Sequence, residues 1–304
     1  MPRLLDHHVL LVTGKGGVGK STVAVTVARA AAQTGKRVLL VEFESVSRAA
    51  PLFGLEAIGT TPVQVAHGLS IRGFDTMDSL RFFALQQLKI ERLVRVVMRN
   101  KTVAGFFQAM PAIKSVTFLY HLWRLVAEHG PDGDGKWDLV VCDLPTTGFI
   151  LGLYGVPTMV QQIFHIGPLA RIARGMGDFL YDSERVGLVM VTLPEEMPVV
   201  ETIEFVDALR EKHGVRAAAT IVNAVVSEPL QPGIGEKIRA QLEVTPTESG
   251  RSPDHTERLR GMLRSATILS GRAQRAARLI PDLKPNLVGV RHALPHLFRR
   301  DVTL

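Results

Sequence analysis

A glycine-rich segment near the start of the chain restricts the possible folds more than any other feature. Residues 14–22 read GKGGVGKST. They follow a short β-branched apolar run at residues 9–12 and precede an alanine- and valine-rich stretch that predicts a helix over residues 20–33. With a second apolar run at residues 37–41, this pattern predicts a βαβ unit. We therefore expect an α/β fold with a doubly wound, mostly parallel sheet.

The same segment satisfies the phosphate-loop pattern G-x-x-x-x-G-K-S in the required strand-to-helix context. Glycines let consecutive backbone N–H groups face a phosphate, and the helix N-terminus adds positive charge. Lys20 should reach the β- and γ-phosphates, Ser21 should ligate Mg²⁺, and Thr22 should contact the α-phosphate. We predict a site for ATP and Mg²⁺ formed by Gly14, Lys15, Gly16, Gly17, Val18, Gly19, Lys20, Ser21 and Thr22.

A second lysine, Lys15, directly follows the first glycine of the loop. With it, the segment resembles the deviant Walker A motif K-G-G-x-G-K-[ST] of the signature-lysine ATPases. In that superfamily the early lysine enters the site of the partner subunit and neutralises charge on the transferred phosphoryl group. The resemblance implies a face-to-face dimer with nucleotide between the subunits, in which Lys15 and Lys20 are both catalytic.

A candidate metal ligand, Asp143, follows a strand predicted over residues 137–142. A carboxylate at the carboxyl end of such a strand fits a Walker B acid, which holds Mg²⁺ through water. The segment from Asp143 to Phe149, DLPTTGF, resembles the switch II motif D-x-A-P-T-G-H of the ArsA and guided-entry tail-anchor targeting ATPase family. Asp143, Thr147 and Gly148 match, and Phe149 stands where the family has histidine. The resemblance implies a dimeric ATPase of the bacterial ArsA-like branch.

The second predicted strand is followed by Glu42-Phe43-Glu44, in the place of the family's switch I motif. By register, Glu44 falls on the aspartate that positions the attacking water in the family, although the family's proline and histidine are absent. The longer glutamate side chain moves the carboxylate by ~1.5 Å, and a displacement of that size can slow a reaction ~100-fold. The alternative is that Glu42 and Glu44 only pair with basic neighbours.

Three residues in the C-terminal part are predicted to contact the base because of the resemblance. Asn223 ends a strand predicted over residues 216–223, where the family has a V-N pair whose asparagine reads adenine. An amide offers the donor and the acceptor that adenine requires. Pro295 and His296 belong to the run LPHLF, which resembles the family's proline-containing loop beside the adenine.

Large apolar residues without a strand pattern predict an α-helical insertion at about residues 75–130 and 149–182 of a single P-loop ATPase domain over residues 1–304. In the tail-anchor ATPases, paired helical subdomains form a groove for a transmembrane helix. The apolar residues of the insertion therefore either line a groove for a hydrophobic or membrane-protein client or only pack in the core of the insertion itself. The residues concerned are Phe82, Phe83, Met98, Phe106, Phe107, Met110, Phe149, Met159, Phe164, Met176 and Phe179.

The cysteine content separates the functions known in the family. Cys142 is the one cysteine of the chain. Arsenite pumping needs several soft thiolate ligands, and the C-x-x-C zinc site of the eukaryotic targeting factors is absent. The dimer must then rest on nucleotide, apolar contact or a paralogous subunit, so a homodimer and a heterodimer both stay open. A single thiol also suits a reducing cytoplasm.

The charge distribution leaves a different class of function open. The net charge is +7, and basic residues concentrate at residues 81–101 and from residue 251 to the end. Such patches are either solvated helix faces or contacts to anionic lipid, nucleic acid or an acidic partner. One alternative is a MinD- or ParA-like positioning ATPase that acts on membrane or DNA. A nucleotide-gated binding subunit with little hydrolysis is the other. For the ArsA-like protein itself, we expect a cytoplasmic location with peripheral contact to the inner membrane and no nucleic-acid partner.

Overall fold

A computed structural model describes residues 4–43, 47–88, 111–126, 136–229, 253–283 and 290–296, together with residues 234, 236, 237 and 240. Eight strands form one sheet in the order β3-β4-β2-β5-β1-β6-β7-β8, and all neighbours are parallel except β3 and β4. The α/β class predicted from the sequence is confirmed. The strands are β1 (Val9–Gly14), β2 (Val38–Glu42), β3 (Val63–Ala66), β4 (Leu69–Gly73), β5 (Leu139–Asp143), β6 (Val186–Thr192), β7 (Ala219–Val225) and β8 (Val290–Pro295).

Seven α-helices connect the strands in the described part of the chain. Two short 3-10 helices, Leu4–Asp6 and Ala50–Phe53, lie beside them. The α-helices are α1 (Lys20–Gln33), α2 (Thr76–Leu88), α3 (Pro111–Val126), α4 (Thr147–Ile163), α5 (Pro168–Leu180), α6 (Glu196–His213) and α7 (Pro253–Asp282).

The two faces of the sheet carry different layers of helix. Successive side chains of a strand point to opposite faces, so Leu10 and Val12 of β1 pack in the cluster that contains α1. Val9 and Leu11 pack in the other cluster, with α3, α4, α5 and α6. The central strands are buried on both faces, which is why they are continuously apolar in the sequence.

The described part of the predicted insertion is helical apart from short connecting segments such as residues 164–167. Helices α2 to α5 pack against one another, and their apolar side chains join the cluster formed by one face of the sheet. Two glycines allow close approach between these helices. A Cβ atom on Gly175 of α5 would lie 2.8 Å from the Trp123 ring of α3, and one on Gly177 would lie 3.2 Å from Pro157 of α4. The insertion as a separate subdomain stays a prediction.

Other segments differ from the sequence-based expectation. Strands β3 and β4 were not expected; β3 has only four residues and is mostly exposed, so it lacks the continuous apolar run of a buried strand. The long helix α7 was not expected either. The last strand is β8, Val290–Pro295, and residues 284–289 before it lie outside the described part.

Candidate functional site

The candidate residues meet where the parallel strands end. In the register of the sheet, Asp143 on β5 lies beside Val12 on β1 and beside Glu42 on β2. Since β1 leads into the glycine loop two residues later, the loop and Asp143 share one edge of the sheet. This is the edge at which open α/β sheets bind ligands.

The shape of the glycine loop depends on glycine at three positions. Gly17 and Gly19 have φ values of +83° and +86°, which other residues rarely adopt. A Cβ atom on Gly14 would lie 2.2 Å from the carbonyl oxygen of Val191 on β6. Gly16 has neither constraint, since a Cβ atom there would meet nothing within 4 Å. The loop therefore has the close backbone turn that a phosphate cradle requires.

The two lysines of the loop point in different directions. The side chain of Lys20 is buried, and its Nζ donates to the carbonyl oxygen of Lys15 at 3.2 Å, within the loop. Lys15 instead forms an ion pair with Glu201 of α6, and its side chain is 56% exposed. Lys20 can thus serve its own loop, whereas the ammonium group of Lys15 lies outside it.

A cavity of about 310 Å³ lies between the loop, α4 and α6. Lys15 of the loop, Thr147 at the first turn of α4, and Glu201 and Glu204 of α6 contribute polar groups to its lining. The cavity therefore brings the loop and the switch II segment together. It also places two carboxylates near Lys15, a feature that the motifs alone did not predict.

The segment after Asp143 is tied to the end of β1. Leu144 donates its N–H to Val12 at 3.0 Å, and the Thr13 hydroxyl donates to the carbonyl oxygen of Pro145 at 2.9 Å. Asp143 is half-buried. Within the described residues, no group of three His, Cys, Asp or Glu side chains could hold a metal ion. A magnesium ion here would rest on Ser21, Asp143, water and phosphate oxygens, which is its usual environment beside phosphates.

Of the two acidic residues in the switch I segment, the structure describes only one. Glu44 lies outside the described residues. Glu42 is buried, and its carboxylate accepts hydrogen bonds from the Ser47 hydroxyl and from the N–H groups of Arg48 and Ala49 at 3.0 and 2.9 Å. The alternative that Glu42 and Glu44 pair with basic neighbours stays a prediction, because Glu44 is not described. The Glu42 carboxylate anchors the end of the switch I segment. The hydroxyl of Ser47, five residues later, was the feature of the sequence that could have indicated this role.

Asn223 contacts the glycine loop directly. Its Nδ2 donates to the carbonyl oxygen of Val18 at 2.9 Å, and a Cβ atom on Gly19 would lie 2.3 Å from that nitrogen. The next residue, Ala224, has φ +55°, and the pairing of β7 with β8 shifts register between Val222 and Val225. Bulges of this kind often re-aim side chains beside functional sites. Contact of Asn223 with adenine stays a prediction.

Pro295 is in a strand rather than in the loop that the resemblance implied, and His296 directly follows that strand. Pro295 is the last residue of β8 and lies beside Val225 of β7. The His296 N–H donates to the carbonyl oxygen of Val225 at 2.9 Å. The predicted loop is thus wrong at Pro295, because β8 continues through this residue. Pro295 pairs with Val225, two positions after Asn223 on the adjacent strand.

Two further observations concern the single cysteine and the helices. Cys142 is buried on β5, and burial, followed by the charge of Asp143, raises the pKa of its thiol. It is therefore an inert core residue. Among the residues that the structure describes, none of the helices has the length and apolar character needed to cross a bilayer.

The fold and the site define a P-loop nucleotide-hydrolysing protein, and comparison with known proteins gives its family. Residues 7–177, more than half of the chain, match the anion-transporting ATPase (ArsA) family. The chain belongs to this family and is an ATP-hydrolysing enzyme. The matched region contains the glycine loop, Glu44 and Asp143 and ends within α5. Asn223, Pro295 and His296 lie beyond it.

Individual relatives agree with this assignment. The chain is 27% identical over 235 residues to the ATPase BagA of Mycobacterium tuberculosis, covering 76% of this chain and 68% of BagA. It is 42% identical over 240 residues to an arsenical pump-driving ATPase of Escherichia coli, covering 71% of this chain but 39% of that protein. An arsenical pump-driving ATPase of Acidiphilium multivorum is 25% identical over 242 residues, with coverages of 72% and 40%.

Proposed function

We propose that the chain hydrolyses ATP as a dimer and uses the nucleotide state to bind and release an apolar client. In this proposal Lys20 neutralises the phosphates bound in its own loop, and Lys15 acts in the site of the partner subunit. Ser21 and Asp143 hold Mg²⁺, which when bound shields the charge of the phosphate oxygens. Glu44 positions the attacking water, and Asn223 supports the loop and faces the base.

The direction of the Lys15 side chain is the observation that carries the dimer. A lysine serving its own loop would be expected to lie within it, as Lys20 does. The ammonium group of Lys15 lies instead against Glu201, with more than half of the side chain exposed. An exposed cation beside a nucleotide site is suited to act on a phosphate bound by another subunit, as arginine fingers do.

A mixing experiment tests action across the dimer. Lys15→Ala and Lys20→Met should each be inactive alone, since every self-paired site lacks one lysine. A mixed dimer has one complete site, because the Lys15→Ala subunit keeps Lys20 and receives Lys15 from its partner. Equal mixing should therefore restore roughly a quarter of the wild-type rate of phosphate release. No recovery in the mixture would contradict action of Lys15 in trans.

The concentration dependence of the rate distinguishes a self-pair from a pair with a paralogous subunit. For a homodimer, phosphate release per chain should rise with protein concentration. A near-zero rate at every concentration, despite nucleotide binding, would contradict the homodimer. In that case, a pull-down from native cells should recover a second ATPase subunit with the chain.

The proposed client surface lies at the connection between α4 and α5. Met176 and Phe179, two of the residues predicted for a client groove, are buried, and Phe149 packs in an aromatic cluster. Exposed apolar side chains instead occur at Ile163 and Ile166, which are 63% and 87% exposed, with Phe164 between them. An exposed apolar surface of this kind suits an apolar helix.

A site-specific cross-linker tests this surface. Placed at Phe164, it should capture a synthetic apolar helix of about 20 residues, and capture should differ between ATP and ADP. The same cross-linker at Val63, an exposed apolar position on β3, is the matched control. Equal capture at both positions would contradict a client surface at the α4–α5 connection.

A further inference from the structure

Four phenylalanine side chains meet at the boundary between the nucleotide site and the helical insertion. We call Phe43, Phe74, Phe118 and Phe149 the switch aromatic cluster. The Phe43 ring lies 5.2 Å from Phe74, 5.1 Å from Phe118 and 4.3 Å from Phe149, measured between ring centroids. Phe43, Phe74 and Phe118 are buried, and Phe149 is half-buried. Phe43 is thus the centre of the cluster.

The members of the cluster come from parts of the chain with different roles. Phe43 directly precedes Glu44, the candidate water-positioning residue. Phe149 is the third residue of α4, in the switch II segment that begins at Asp143. Phe118 belongs to α3, in the insertion. One set of ring contacts therefore joins both switch segments to a helix that is far from them in sequence.

A second contact from α3 reaches the same ring. The Nζ of Lys114 lies 4.9 Å from the centroid of the Phe43 ring. Lys114 and Phe118 are four residues apart, which places them on one face of α3. The backbone holds Phe43 as well, since its N–H donates to the carbonyl oxygen of Asp143 at 3.2 Å. Phe43 is thus held by β5 through its backbone and by α3 and α4 through its ring.

We propose that Phe149 is a positioning residue of the ATPase site and, through Phe43 and Phe118, couples switch II to α3. This inference rests on the proposed function. When the switch II segment shifts with the nucleotide, the Phe149 ring must shift against Phe43. A packed cluster does not deform continuously, so Phe43, with Glu44 beside it in the chain, and α3 must move with Phe149.

The chain contains a natural reporter of such movement. Trp123 lies on α3, five residues after Phe118. Its ring packs against Tyr120, at 6.1 Å between ring centroids, and against Gly175 of α5. The other tryptophan, Trp137, precedes β5 and can be replaced by phenylalanine. In a Trp137→Phe background, tryptophan fluorescence then reports on α3 alone.

The experiment compares two leucine substitutions in that background. Phe149→Leu keeps an apolar side chain but removes the ring contact with Phe43. Phe83→Leu is the matched control, since Phe83 packs on Tyr120 of α3 at 4.9 Å and belongs to α2 rather than to a switch segment. Each variant is titrated with a fluorescently labelled ATP analogue, and its tryptophan emission is recorded with Mg²⁺ and either ATP or ADP.

We expect Phe149→Leu to bind the labelled nucleotide within about threefold of the parent protein, because Phe149 is not part of the glycine loop. Its ATP-dependent fluorescence change should be lost, and kcat should fall about tenfold with KM little changed, since the end of β2 loses its contact with the switch II segment. Phe83→Leu should keep both the fluorescence response and kcat. A second variant, Phe118→Leu, removes the same coupling from the α3 side and should also lose the response.

Two outcomes with the variants would overturn the inference. One is a full Trp123 response in Phe149→Leu. The other is an equal loss of response in Phe83→Leu, which would indicate a general packing defect. The parent protein separates this inference from the proposed function. If it binds no labelled nucleotide, both fail together; if it binds nucleotide but Trp123 does not respond, only the coupling fails.

Discussion

The glycine loop and the helical insertion are held in place by different kinds of interaction. The loop depends on backbone geometry, with Gly17 and Gly19 at positive φ and a hydrogen bond from Asn223 to Val18. The insertion depends on side-chain packing, from the rings around Phe43 to the close contact of Gly175 with Trp123. The first arrangement presents polar groups to a ligand, and the second buries apolar surface.

The difference predicts how each region responds to substitution. Changes of polar side chains at the loop should affect nucleotide affinity and rate while leaving the free energy of unfolding nearly unchanged, because few apolar atoms are involved. Changes in the insertion should lower the free energy of unfolding, because packing contributes most to stability. A substitution with the opposite effect in either region would break this division.

The largest effect is expected for Lys20→Met, which keeps the apolar stem but removes the ammonium group. Loss of one preorganised charge at a developing anion lowers the rate by about 100- to 1,000-fold. Phosphate release with Mg²⁺ and ATP measures it. Lys36→Met, beyond the other end of α1, is the control and should be neutral. A rate near that of the wild type in Lys20→Met would place the catalytic charge elsewhere.

The second-largest effect is expected in the insertion, where the free energy of unfolding should depend on pH. Burial, followed by the charge of Arg72, lowers the pKa of His121 from 6.5 to about 3. The unfolded chain therefore takes up a proton first, so the free energy of unfolding falls as the pH drops below 6.5 towards 3. The slope from this residue is about 1.4 kcal/mol per pH unit.

Urea unfolding at pH 7 and pH 5 measures the contribution of His121. His121→Leu should lose about 2 kcal/mol less than the wild type between these two values. His67→Gln, at an exposed turn, is the control and should follow the wild type. An unchanged pH dependence in His121→Leu would contradict a neutral, buried His121.

A smaller effect separates packing from nucleotide binding. In Gly175→Ala the new methyl group would meet the Trp123 ring at 2.8 Å, and overpacking of this kind costs about 1–3 kcal/mol. Thermal unfolding should show this loss, whereas nucleotide affinity should not change. Gly155→Ala in α4 is the control, since a Cβ atom there meets nothing within 4 Å. It should be neutral or stabilising by up to about 1 kcal/mol.

The smallest effect is expected for Asn223→Ala, which removes the hydrogen bond to Val18. Such a bond contributes about 1 kcal/mol, which corresponds to about fivefold weaker nucleotide binding. Titration with a labelled nucleotide measures it. Thr220→Val on the same strand is the control, because the buried Thr220 hydroxyl makes no hydrogen bond in the described structure. Equal nucleotide affinities for Asn223→Ala and Thr220→Val would contradict a role of Asn223 in supporting the loop.

The predictability of the site follows the range of the interactions concerned. The helix after the loop begins and ends where its pattern predicts, at Lys20 and Gln33, because capping and periodicity are local signals. Asn223 was selected because of a resemblance, whereas its contact with Val18 joins residues 205 positions apart in the chain. The anchoring role of Glu42 was missed for a related reason, since it depends on how the chain turns after β2.

The helical insertion shows the same limit more strongly. Its apolar spacing predicts helices, and the described helices confirm them. The spacing does not show which apolar residues face the core, so Met176 and Phe179 were candidates for a client groove although both are buried. Phe149 was noted as a departure from the family motif. Its packing against Phe43 depends on the meeting of β2 and α4, which no local pattern records.

The sequence by itself determined the α/β class, the glycine loop, the family and the residue types available for nucleotide chemistry. These features depend on the spacing of residues that are close together in the chain, and this spacing can be read from the sequence. Only the tertiary structure decided that Lys15 lies against Glu201 while Lys20 stays in the loop, and that four phenylalanine rings join the switches to α3. The physical reason is that such contacts depend on the pairing of strands and the packing of helices that are distant in the chain.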